Sequence, residues 1–285
     1  MYKDFYNLNE NPFSVTADPA FFFPSTRHSE AFSNLVYGIK ERKGILVITG
    51  EIGTGKTTLC RTLLNQLGTD VKTALILNPY FSEVQLLQLI VRDLGIPETS
   101  KSKLSLINAL NQFLCDQAIQ GNNVVLIIDE VQHLNVRQLE QVRLLSNLET
   151  DKSKLLQIIL VGQPELLDKL KLPSLRQLNQ RISVRYHILP LEKTELKEYI
   201  NHRLKVASCA PNGRISIKFS DEAIEAVYMF TKGTPRLINI LCDRVLLAGY
   251  VTETYNLDEQ LIFKCARELT QLLPAQELAT SYLPE

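Results

Sequence analysis

ILVITGEIGTGKTTL, residues 45 to 59, joins a short apolar run to a glycine-rich loop and then to the start of an amphipathic pattern. Within it GEIGTGKTT, Gly50 to Thr58, matches G-x-x-x-x-G-K-[ST] in the strand-loop-helix setting that this pattern requires. Gly50, Glu51, Ile52, Gly53, Thr54 and Gly55 supply backbone N–H groups that can close round phosphates. Lys56 would reach the terminal phosphates of a nucleotide such as ATP, and the Thr57 hydroxyl, next to Thr58, can hold Mg2+.

Outward from this loop, apolar runs alternate with helical patterns up to about Pro190. They are ILVIT at 45 to 49, TALIL at 73 to 77, VVLII at 124 to 128 and IILV at 158 to 161. Continuous apolar runs predict strands buried on both faces, and the helices between them predict a parallel α/β sheet. RISVRYHI differs: Ile182, Val184, Tyr186 and Ile188 alternate with Arg181, Ser183, Arg185 and His187, as on an edge strand with one wetter face. Before the sheet, Asn11-Pro12-Phe13, Asp18-Pro19 and Phe21-Phe22-Phe23-Pro24 carry too much proline for a long helix. They read as an arm, followed by a helix through Ala31, Phe32, Leu35, Val36 and Ile39 that ends at Gly44. After Pro190, helical patterns at 192–207, 219–231, 235–249 and 257–270 predict a small helical lid domain. The expected organisation is an arm and helix at 1–43, an α/β nucleotide-binding domain at 44–190, a helical lid at 191–271 and a tail at 272–285.

Lys plus Arg and Asp plus Glu both number 31, so no global field selects nucleic acid or a membrane as partner. The five cysteines are scattered without a Cys-x-x-Cys pair, as in a reduced cytoplasmic protein. The amino terminus lacks the basic-then-apolar order of a signal peptide, and no apolar run approaches the ~20 residues of a membrane helix. Membrane association is expected only through partners.

Phosphate chemistry needs an acidic site beside the loop, and VVLIIDE provides it. Asp129 ends a buried strand where it can hold a magnesium-bound water, and Glu130 can polarise the attacking water. Asn78, after TALIL, and Gln163, after IILVG, also stand where a parallel sheet binds its ligand. Gln163 would sense the terminal phosphate or position water, and Asn78 would hold Glu130 in an unproductive orientation until a partner engages; the alternative for each is an ordinary exposed loop amide. His133, three positions after Glu130, reads as a solvated or coupling residue. Between Lys169 and Leu191 there is no acidic residue, while Lys169, Lys171, Arg176, Arg181 and Arg185 are basic. Such a run can meet nucleic acid or reach a neighbouring subunit's nucleotide, with Arg181 the first choice for an arginine finger and Arg176 the second. In GTPRLIN, Thr234 can cap a helix and Pro235 fits its first turn, which sets Arg236 where backbone N–H groups attract anions.

Phosphate loop, acidic strand end, polar strand end, arginine pair, helical domain and Gly-x-Pro-Arg, in this order, resemble an AAA+ ATPase. In that superfamily an arginine at the start of a lid helix, matched here by Arg236, touches the terminal phosphate. More narrowly, MYKDFYNLNENPFSVTADPAFFFPSTRHSEAFSNLVYGI, GEIGTGKTTLCRTLL, IIDEVQHL, ILVGQPEL, LRQLNQRI and KGTPRLIN are similar to the general secretion pathway protein A (ExeA-like) family over about residues 1 to 270. The resemblance implies that Pro12, Phe13 and the segment leading to His28 border the adenine pocket. It also implies an ATP-dependent homo-oligomer that energises or regulates assembly of an envelope secretion, pilus or polysaccharide export apparatus. Long relatives continue into a transmembrane helix and a peptidoglycan-binding domain, and this sequence reads as a short form without them. Two other functions stay open. One is a DNA-associated ATPase acting with a transposase, which zero net charge disfavours. The other is a nucleotide-controlled switch with little turnover, against which Glu130 argues.

Overall fold

The computed structural model describes residues 1–77, 82–97, 102–149, 153–209 and 216–272. In chain order, α1 (Tyr2–Tyr6), α2 (Thr26–Lys40), β1 (Ile45–Gly50), α3 (Lys56–Gln66), β2 (Val71–Ile76), α4 (Glu83–Asp93), α5 (Lys103–Ile119) and β3 (Asn123–Ile128) come first. They are followed by α6 (Val136–Leu145), β4 (Gln157–Gly162), α7 (Glu165–Leu170), α8 (Arg176–Gln180) and β5 (Ile182–Ile188). The chain continues through α9 (Lys193–Ala207), β6 (Lys218–Phe219), α10 (Asp221–Thr231), α11 (Pro235–Val251), β7 (Asn256–Leu257) and α12 (Glu259–Leu272). Two compact units result. A sheet unit holds His28–Ile52 and Lys56–Ile188; a helical unit holds Met1–Arg27, Gly53–Gly55 and the chain from Leu189.

In the sheet unit five strands lie parallel in the order β2-β3-β4-β1-β5. β1, β3 and β4 are central and almost wholly buried, as their unbroken apolar runs require. Their side chains alternate between two faces. Ile45, Val47, Leu126 and Ile158 join one core with Leu86 and Leu87 of α4 and Leu106 and Leu110 of α5. On the opposite face Leu46 of β1 packs so closely on α2 that a Cβ on Gly38 would fall 2.0 Å from its Cδ2. Helices therefore cover both sides of the sheet. β5 is the edge strand its alternation predicts, with Ser183, Arg185 and His187 exposed. β2 departs from expectation: TALIL reads as buried on both faces, yet β2 is the other edge, and only Ala74 and Ile76 of it are fully buried. Hydrophobicity alone does not report whether a strand has one neighbour or two.

The helical unit packs α9, α10, α11 and α12 round Leu196, Ile200, Leu204, Val227, Ile238 and Leu241. Ser220 caps α10 by accepting from Ala223 N–H at 3.1 Å. The arm closes part of this core with Tyr6, Leu8, Phe13 and Phe21. Arg203 of α9 fixes it there. Its guanidinium is buried, lies 4.7 Å from the Phe21 ring centroid, and donates to Pro12 O and to Ser14 O (2.9 Å). Two carbonyls and the Tyr199 hydroxyl, rather than a carboxylate, accept from its fork of N–H donors, a role that the point charge of lysine does not reproduce.

Candidate nucleotide site

The loop after β1 is shaped round a cation. Gly53 and Gly55 take φ of +80° and +91°, the left-handed region that glycine adopts without steric cost. Lys56 opens α3, is 7 % exposed, and donates from Nζ to Gly50 O and Glu51 O, both at 2.8 Å. Burial lowers its pKa, while the charges of Glu130, Asp129 and Glu51 act against that shift. Thr57 follows, and its hydroxyl donates to Asp129 Oδ2 at 2.6 Å. Thr58 accepts through its carbonyl from the Thr62 hydroxyl at 2.9 Å. Thr54 is fully buried, whereas Glu51 and Ile52 are exposed.

Asp129 stands just past β3, 2 % exposed. Burial raises its pKa; the Thr57 hydroxyl and the Glu130 N–H, which meets Asp129 Oδ1 at 2.9 Å, pull it back in part. Two hard oxygens, from Thr57 and Asp129, thus sit together at the C-terminal end of the sheet, a donor set that fits magnesium. Glu130 has φ +54° and ψ +37°. A non-glycine residue in this region is uncommon and costs energy that the surroundings must supply. Here the local turn is the 3-10 segment Val131–His133, and the Glu130 carboxylate is held from several sides. Gln132 Nε2 donates to Glu130 Oε2 at 2.5 Å, Gln163 Nε2 approaches the same oxygen at 3.5 Å, and His133 Nε2 lies 3.9 Å away.

The structure therefore brings Lys56, Thr57, Asp129, Glu130 and Gln163 together in the sheet unit. Asn78 lies outside the described residues. Arg176 and Arg181 flank α8 before β5, at the opposite end of the sheet from the loop, because Ile45 pairs with Ile182 while Gly50 pairs with Ile188. Arg181 Nη1 donates to Ser146 Oγ at 3.2 Å, and Arg176 is exposed. In the helical unit Pro235 and Arg236 begin α11, and the Arg236 N–H donates to Gly53 O at 3.1 Å. Pro12 and Phe13 are buried in that same unit, with Phe13 N–H on Asn11 Oδ1 at 2.9 Å. Reading the sequence missed Gln132, which no motif marks, and the inward role of Lys169, whose Nζ donates to Gln132 O and Leu134 O.

A family model described as an AAA domain matches residues 39–170. Over 258 residues, 90 % of this chain, the sequence is 42 % identical to General secretion pathway protein A of Aeromonas hydrophila; the chain spans about half, 46 %, of that relative's length. Solved structures with a similar fold include the Aeropyrum pernix ORC2 protein in its ADPNP-ADP complexes, at 17 % identity over 87 % of this chain and 68 % of that one, TM-score 0.65. Another is Cdc6p from Pyrobaculum aerophilum, at 17 % identity over 88 % and 71 %, TM-score 0.65. The Thermotoga maritima RuvB Holliday junction branch migration motor matches at 19 % identity over 85 % and 68 %, TM-score 0.55. At such identities these likenesses speak for the fold alone. Among the described residues no helix is long and apolar enough to cross a membrane. Parallel sheet, phosphate loop and acidic strand end make this an AAA+ P-loop fold with an AAA domain at residues 39–170, and over 90 % of its length the chain is similar to general secretion pathway protein A.

Proposed function

We propose that this protein is a magnesium-dependent ATPase that oligomerises with ATP and energises or regulates assembly of an envelope secretion, pilus or polysaccharide export apparatus, working in the cytoplasm and meeting the inner membrane through its partners. The observation that carries the enzymatic part is the 2.6 Å approach of Thr57 to the buried Asp129, beside Lys56 and Glu130. The likeness to General secretion pathway protein A supports the biological task.

Bound between Thr57 and Asp129, magnesium would offset phosphate charge. Lys56 exchanges the carbonyls of Gly50 and Glu51 for the oxygens of the terminal phosphates, whose negative charge, like that of the nearby carboxylates, favours its protonated form against the effect of burial. Glu130 accepts the proton of the attacking water, and Gln163 orients that water or senses the terminal phosphate. Arg236 contacts the terminal phosphate from the start of α11, while Pro12 and Phe13 border the adenine. Arg181, or Arg176, serves the site of a neighbouring subunit.

Purified protein is expected to hydrolyse ATP with a specific activity that rises with protein concentration. Glu130→Gln should retain ATP and the oligomer while losing on the order of 10²-fold or more in turnover, the usual worth of a positioned base. Equal hydrolysis by wild type and Glu130→Gln would remove Glu130 from this role. One observation favours a second reading, a DNA-associated ATPase: Lys171, Arg176 and Arg185 line a surface cavity of about 530 Å³. Strong stimulation of hydrolysis by duplex DNA, lost at higher salt, would put that reading first.

A further inference from the structure

Gln132 has a more specific place than an amide near a carboxylate requires. It is 8 % exposed, and both ends of its amide are used. Nε2 donates to Glu130 Oε2 at 2.5 Å, and Oε1 accepts from the Gln163 N–H at 3.0 Å. One partner only accepts and the other only donates, so the amide has a single orientation that satisfies both. The backbone of Gln132 is fixed as well, since Lys169 Nζ donates to its carbonyl and to Leu134 O at 3.0 Å. The end of β4 makes room for the amide: a Cβ on Gly162 would stand 2.9 Å from Gln132 Oε1 and 3.4 Å from Gln132 N. Residues from two strand ends meet on one neutral side chain while α7 holds its backbone, and the bonding partner of that side chain is the candidate base.

We propose that Gln132 is a positioning residue for ATP hydrolysis: its amide holds Glu130 Oε2 against the end of β4, which leaves Oε1 to take the proton from the attacking water. This rests on the ATPase reading above. A neutral donor suits the task. It fixes the carboxylate beside its left-handed backbone without adding a charge to the site. Because the amide also binds the Gln163 backbone, a shift of the β4 end moves the Glu130 carboxylate with it.

The test is steady-state kinetics of full-length Gln132→Leu and Gln132→Glu, each in the wild-type and the Glu130→Gln background, with thermal melting to establish folding. Leucine removes both hydrogen bonds at similar volume; glutamate keeps the shape but sets a like charge against Glu130, and serves if the leucine variant does not fold. The expected result is a kcat lowered about 10- to 100-fold with KM for ATP within about two-fold, and no further loss when Glu130 is already Gln. An unchanged or raised kcat, a raised KM at unchanged kcat, or an equal loss in both backgrounds would overturn the proposal while the ATPase reading stands. Should wild type and Glu130→Gln hydrolyse ATP alike, the reading of Glu130 falls, and the role of Gln132 falls with it.

Discussion

Asp129 shows how a candidate magnesium ligand works against the stability of the protein that carries it. Burial raises its carboxyl pKa, and the hydrogen bonds from Thr57 and Glu130 recover only part of that cost. With the folded value above the unfolded one, the residue favours folding below the ordinary carboxylate range near ~4, and this contribution is lost as pH rises through the folded value. At pH 8 the charged form is a net burden. Asparagine offers one acceptor for the Glu130 N–H and one donor for the Thr57 hydroxyl, so Asp129→Asn keeps both contacts without the charge. Calorimetry of the nucleotide-free protein should find its Tm about 2–4 °C above wild type at pH 8, the equivalent of ~1 kcal/mol, with the gap closing toward pH 4. A lower Tm at pH 8 would show that the Lys56 attraction outweighs burial. Lys56, Thr57, Asp129 and Glu130 were legible because phosphate and metal chemistry fix their types and spacing. The placement of Gln132 was not, because it depends on Gly162, a residue thirty positions on whose missing side chain makes the space. Lys169 was hidden in the opposite way: a cation in a basic run looks solvated, yet its ammonium caps the turn after Glu130.

At the scale of elements, the joint between α10 and α11 sets how the helical unit presents Arg236. Lys232 and Gly233 both take left-handed backbone, at φ +47° and +78°, before Pro235 starts α11. Leu191 and Gly233 are in close contact there: Leu191 N–H donates to Gly233 O at 2.9 Å, and a Cβ on Gly233 would lie 2.0 Å from Leu191 O. The two residues should therefore respond in opposite directions. Gly233→Ala adds left-handed strain of about 1–2 kcal/mol to a clash with a backbone atom that no rotamer relieves. A total loss on the order of 3 kcal/mol is expected in urea titration followed by circular dichroism. Lys232→Gly, whose Cβ already pays for the same conformation, should gain up to about 1 kcal/mol. The long helices and the central strands were readable from periodicity. The pairing of Lys218 and Phe219 with Asn256 and Leu257 was not, since a two-residue bridge has no period. Nor was the bridge from Leu8 to Ser208, which joins the arm to the end of α9 across most of the chain.

For the whole molecule, the parallel register decides which arginines can serve which nucleotide. Ile182 pairs with Ile45 at the start of β1, and the phosphate loop begins only after Gly50 at its end. At about 3.3 Å per residue the strand separates Arg181 from its own loop by nearly 20 Å, more than an arginine side chain spans. If Arg181 takes part in hydrolysis, it does so in a second copy, and one copy alone is an incomplete enzyme. This makes subunit mixing informative. Arg181→Ala retains Glu130, and Glu130→Gln retains Arg181, so each protein alone should be nearly inactive. In an equal mixture, half of the sites keep Glu130 and half of those face an intact Arg181, so hydrolysis should recover to about a quarter of the wild-type rate. The recovery should disappear on dilution, with the oligomer. If the mixture instead shows only the average of the two inactive proteins, Arg181 does not act across subunits. Full activity of Arg181→Ala alone would transfer the experiment to Arg176, whose place at the start of α8 puts it at the same distant end of the sheet.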